Sequence, residues 1–163
     1  MKKIIIILFA LVCFANEKRV FLLPEESYSS VNFIENKIIL TKSNIKIIIN
    51  DLNIYAIKKE LIKSIKKGVK VIAISNEKNI ANLDNNLLNL LQYKNFELYL
   101  LRSHKLIAKN IFIFDDNISC SSTRTFNKNI YKNIKGVVEC NACSKKSIEL
   151  FNTQLLKSKQ YLE

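Results

Sequence analysis

Residues 45–74 read IKIIINDLNIYAIKKELIKSIKKGVKVIAI, and this stretch decides the fold. Ile45 to Ile49 is an apolar, β-branched run of the kind that lies buried in a sheet. After Asn50-Asp51, the segment from about Tyr55 to Lys67 puts Leu61, Ile62 and Ile65 on one side and lysines on the other, the pattern of an amphipathic helix. Gly68 stands where a helix commonly ends in a left-handed residue. Val69 to Ile74 is then a second buried strand. Strand, helix and strand joined this compactly predict a right-handed crossover between parallel neighbours.

The pattern continues in both directions. Val20 to Leu23, closed by Pro24, reads as a short strand, and Glu25 to about Ile39 as a helix with Val31, Ile34 and Ile38 on its buried face. Leu83 to Leu91 reads as a helix and Phe96 to Leu101 as a strand. Ile111 to Phe114 and Ile118 to Ser121 form a hairpin turned at Asp115-Asp116-Asn117. Ile134 to Glu139 is a last strand. Lys145 to Tyr161 is a closing helix with Ile148, Phe151, Leu155 and Leu156 on one face. The fold class expected is α/β, with a mixed, mostly parallel sheet covered by helices on both faces.

The chain has 163 residues, 48% of them hydrophobic, enough for one domain with a core and too few for two. Two glycines and one proline exclude a flexible linker, a collagen-like segment and a Gly-rich phosphate loop. The net charge of +12 favours polyanionic partners, either nucleic acid or an anionic membrane surface. The lysine excess runs through the whole chain, so solvated helix faces account for part of it.

Met1 to Ala15 carry Lys2 and Lys3, an apolar run from Ile4 to Phe14 and a small-x-small pattern at Cys13-Phe14-Ala15, which reads as a signal peptide cleaved near Ala15. The apolar run is well short of the ~20 residues that span a bilayer. Export to the periplasm or the exterior is therefore expected, with a single domain over 16–163 that keeps about +10 of the +12 because only two lysines are lost. Cys120, Cys140 and Cys143 remain in a compartment that permits disulfides. The Cys140-x-x-Cys143 spacing makes that pair the disulfide candidate, with free thiols and redox chemistry as the alternatives. Lacking a second such pair or a suitably spaced histidine, the chain is expected to hold no metal site.

From Ile45 onward, the Ile-Lys-Ile-Ile-Ile strand, the helix, Lys66-Lys67-Gly68-Val69-Lys70-Val71, and the later strand ending in Asp before a Ser-rich turn resemble the single-motif phospholipase D-like endonucleases over roughly residues 20–160. That resemblance implies a strand with His-x-Lys and, five residues after the Lys, an Asp, then a strand with Gly-Ser and an Asn. Two such motifs pair around one phosphate. One His attacks phosphorus, the other protonates the leaving oxygen, and lysines stabilise the non-bridging oxygens, with no metal or cofactor.

In this sequence the motif is eroded. Setting Asp115 on the family Asp puts Ala108 at the His position and Asn110 at the Lys position, whereas setting Asp116 there puts Lys109 and Ile111 in those places. The chain's one histidine, His104, precedes Asp115 by eleven positions where the family spacing is seven. By resemblance, His104 and Asp115 are the catalytic candidates, and Lys105, Lys109, Ser121, Ser122 and Arg124 the phosphate-binding candidates. Three functions follow as expectations: a catalytically impaired protein binding single-stranded or non-specific DNA, an active metal-independent phosphodiesterase using His104 from each chain of a homodimer, or a redox-linked or structural envelope protein.

Overall fold

The computed structural model describes residues 18–80, 87–102, 107 and 109–161. Its strands are β1 (Arg19–Leu23), β2 (Asn44–Ile48), β3 (Lys70–Asn76), β4 (Phe96–Leu101), β5 (Asn110–Phe114), β6 (Ile118–Ser122), β7 (Gly136–Ala142) and β8 (Ser158–Gln160). The helices are α1 (Ser27–Leu40), α2 (Tyr55–Lys66), a single turn α3 (Glu77–Ile80) and α4 (Lys145–Leu156). Short 3-10 turns lie at Leu88–Leu90 and Lys128–Tyr131. The expected signal segment 1–15 lies outside the described residues, as do residues 83–86 of the predicted helix before β4, whose described part is only the 3-10 turn Leu88–Leu90. No helix among the described residues is long and apolar enough to cross a membrane.

The strands form one mixed sheet in the order β1-β7-β6-β5-β2-β3-β4-β8. The β2-α2-β3 crossover forms as the sequence predicts, with β2, β3 and β4 parallel. The expectation of a mostly parallel sheet is corrected, because β5 returns antiparallel beside β2 and the β5-β6-β7 meander continues antiparallel. β1 and β8 also join antiparallel, at the two edges. The short turn between β5 and β6 can join only antiparallel neighbours, since a parallel pair needs a longer crossover.

Alternation along the strands feeds two cores. On one face Ile45, Ile47, Val71, Ala73, Phe112 and Phe114 pack under Val31, Ile34 and Ile38 of α1 and Ile57, Leu61 and Ile65 of α2. On the other, Ile48, Ile74, Ile111 and Ile113 pack under Phe151 of α4, with Leu155 at the margin. Helices thus cover both faces, as expected. α4 ends at Leu156, whose side chain is 88% exposed, so the last residues leave the helix and form β8. The stop of α2 is a Schellman cap: Gly68 at φ 98° donates to the Ile65 carbonyl and Val69 to that of Ser64, closing the turn.

Cys120 and Cys140 face each other across β6 and β7 and form the disulfide. The expected Cys140–Cys143 pair is corrected. Three residues along an extended chain point to opposite faces, so Cys140 joins the α1/α2 core while Cys143 is a free thiol against the α4 core. Burial first, and then the Asp116 carboxylate, push the Cys143 thiol above its ordinary pKa. A buried cross-strand bridge and a thiol with raised pKa do not make a redox pair.

Candidate functional site

The carboxyl ends of β2 and β3, the start of β5 and the end of β6 meet at one end of the sheet. Carboxyl ends of parallel strands are where open α/β sheets characteristically place ligand sites. The Asn110 side chain is almost fully buried there. Its Oδ1 accepts the Asn50 N–H at 3.0 Å, and its Nδ2 donates to the Arg124 carbonyl at 2.9 Å. Ser122 Oγ donates to the same carbonyl at 2.8 Å and accepts the Arg124 N–H at 3.0 Å, so the hydroxyl is consumed in shaping the turn.

Asn50 extends the network. Its Nδ2 donates to the Ile107 carbonyl at 2.7 Å, and its Oδ1 accepts from the Ile107 N–H at 3.0 Å and from Asn79 Nδ2 at 3.1 Å. Ser75 Oγ donates to the Asn50 carbonyl. On the next loop Asn127 Nδ2 donates to Asp51 Oδ2 at 2.9 Å, while Asp51 Oδ1 is buried with no hydrogen-bond partner among the described residues. The centre is therefore built mainly from neutral amides and hydroxyls, which orient backbone and do not ionise at neutral pH.

The predicted site residues divide between the two ends. Ser122 and Arg124 come together around Asn110, which the sequence marked only as standing at the family Lys position, and Lys109 is exposed beside them. Ser121, half-buried, alternates with Ser122 to the other face of β6. His104 and Lys105 lie outside the described residues. Gly136 accommodates the aliphatic part of Arg124, since a Cβ at Gly136 would collide with Arg124 Cγ.

Asp115 sits at the other end of β5, about 17 Å from Asn110 at the usual strand rise. Asp115 and Asp116 have φ of 48° and 57°, left-handed residues at the centre of the turn from Phe114 to Asn117 in the three-residue connection between β5 and β6. The Asp115 carboxylate accepts from the N–H groups of Lys42, Ser43 and Asn44 and from Ser43 Oγ at 2.7 to 3.0 Å. Burial raises its pKa, but those hydrogen bonds outweigh it and hold the group down at about 2. Asp116 pairs with Lys46 Nζ at 2.7 Å on the α4 face. Neither aspartate meets the Arg124 cluster.

Asn50, Ser75, Asn79 and Asn127 were not singled out by sequence. One signal was present: Asn50-Asp51 directly follows a buried strand, at a crossover's carboxyl end.

No family model matches the sequence, and no curated protein matches it. Solved structures do. NucT from Helicobacter pylori superposes with a TM-score of 0.79 at 21% identity, covering 89% of this chain and 99% of that one. Nuc from Salmonella typhimurium, a phospholipase D family member, does so at 0.74 and 16% identity, covering 90% and 99%. TrmBL2, an archaeal chromatin protein with a novel mode of DNA binding, reaches 0.63 at 14% identity, covering 92% of this chain and 57% of its own. The chain therefore has the phospholipase D-like fold.

Proposed function

We propose that this is an exported protein that holds nucleic-acid phosphates at the Arg124 end of its sheet without hydrolysing them. The observation that carries the reading is Asn110. At the place where the resemblance expects the phosphate-binding lysine, a buried amide is spent on the backbone of Asn50 and Arg124. No described residue there is a phosphorus nucleophile with an adjacent general base.

Charge supports the binding half. Between Asp116 and Glu139 the chain carries Arg124, Lys128, Lys132 and Lys135 and no acid. The leader-like segment and the buried Cys120–Cys140 bridge support periplasmic or secreted placement, since such bridges persist in oxidising compartments. A homodimer that joins two Arg124 ends, or docking on an anionic membrane surface, belongs to the same proposal; light scattering and vesicle sedimentation test them.

The direct test is a gel shift of DNA across a salt series. Affinity is expected to fall steeply with salt, through release of phosphate counterions. Absent binding, or binding indifferent to salt, contradicts the reading.

One observation favours a second reading, an active metal-independent phosphodiesterase. Asn50 grips the backbone of Ile107 through both its N–H and carbonyl, and Ile107 stands in sequence three residues after the chain's one histidine, His104. Turnover abolished by His104→Ala in a folded variant would establish it.

A further inference from the structure

Two tyrosines stack on the surface at the same end of the sheet. Tyr28 lies in the first turn of α1 and is 71% exposed; Tyr131 closes the 3-10 turn Lys128–Tyr131. Their ring centroids are 4.7 Å apart with planes inclined by 31°. The contact holds the two rings together while leaving the Tyr28 ring largely in water, where a flat ligand can reach it.

The support beneath the pair is rigid. Ser27 Oγ, buried, donates to the Ile130 carbonyl at 2.7 Å, and Ile130 is itself buried. Asn127 caps the turn by accepting the Asn129 N–H at 3.0 Å. Around this platform Lys128, Lys132 and Lys135 are exposed, and none is in an ion pair among the described residues. Lys135 precedes Gly136, over which Arg124 is laid, so the basic track is continuous with the Arg124 end.

We propose that Tyr28 and Tyr131, with Lys128, Lys132 and Lys135, form a track that stacks the unpaired bases of a single-stranded nucleic acid while the lysines hold its phosphates. The inference rests on the reading of the Arg124 end as a phosphate site and adds the base-recognising element to it. Base-on-tyrosine stacking is sequence-tolerant because every base has a π-face, and it is unavailable to a paired duplex or to a polyphosphate.

The test measures binding of the full chain to three probes: a labelled oligothymidylate, the same length as duplex, and inorganic polyphosphate. Tyr28→Ala and Tyr131→Leu are expected to weaken the single strand about 10-fold each. Polyphosphate affinity should stay within about twofold, Tyr28→Phe should behave as the parent, and melting temperatures certify folding. The chain has no tryptophan, so quenching of tyrosine emission by the single strand gives an independent readout. Unchanged single-strand affinity in both folded variants overturns the track and leaves the phosphate site standing. Failure of the parent to bind any probe overturns both.

Discussion

Asn110 Oδ1 accepts the backbone N–H of Asn50 at 3.0 Å, locking the start of β5 to the end of β2. The bond occupies the place where phosphodiester chemistry would need a cation, and it is made by a side chain with almost no exposure. Asn110→Lys therefore does not recreate a phosphate site. It orphans the Asn50 N–H and brings a charge into a buried position, which should destabilise the fold by about 2–4 kcal/mol. Urea unfolding measures the loss, and the variant should gain no cleavage because Ala108 still stands at the histidine position. A variant as stable as the parent contradicts the network's role.

Gly136 gives Arg124 its seat. Gly136→Ala forces the arginine side chain off that surface, with a cost to stability on the order of 1 kcal/mol if the side chain can move. DNA affinity is expected to drop severalfold, and the slope of log affinity against log salt to fall by about one phosphate contact. Arg124→Ala should match it; an unchanged slope in both variants would remove Arg124 from the binding surface.

The Cys120–Cys140 bridge closes a loop between adjacent strands inside the core. Reduction should lower stability by about 3 kcal/mol, read as a shift in the urea midpoint. In the chain from residue 16 onward, unfolded without reductant, one thiol should titrate, that of Cys143. In the folded protein it should react slowly at neutral pH and faster in alkali, because burial raises its pKa. Reaction of three thiols before reduction would contradict the bridge.

Asp115 ties the β5–β6 turn to the start of β2. Its folded pKa of about 2 lies below the ordinary 3.8, so its contribution is present in full above about pH 4 and is lost as pH falls through 2. Asp115→Asn should melt at a lower temperature than the parent at pH 6, and the gap should close as pH approaches 2. The group is only half-buried and partly screened by solvent, so the expected cost is about 1 kcal/mol. A gap independent of pH would show that the ionised form contributes nothing.

Most of the fold was legible because its signals are local. The β-branched run at Ile45–Ile49, Gly68 at the end of α2 and the Asp115-Asp116 turn each state their conformation within a few residues. What the sequence hid was long-range. Nothing local says that β5 returns beside β2 instead of extending the parallel set, or that β8 leaves α4 to pair with β4. The cysteine pairing was hidden for the same reason: Cys120 meets Cys140 through strand register, while the nearby Cys143 is turned away by strand alternation. The site was only half legible. A resemblance in spacing pointed to Ser122 and Arg124, but the asparagines that fill the centre form no motif and emerge from the meeting of four chain segments.

Binding without cleavage at the Arg124 end is checked by incubating end-labelled single-stranded DNA with the purified protein in chelator. The expected result is a complex that dissolves as salt rises, with the strand recovered intact after prolonged incubation. Shortened products that disappear in His104→Ala would contradict it and make the protein a working phosphodiesterase.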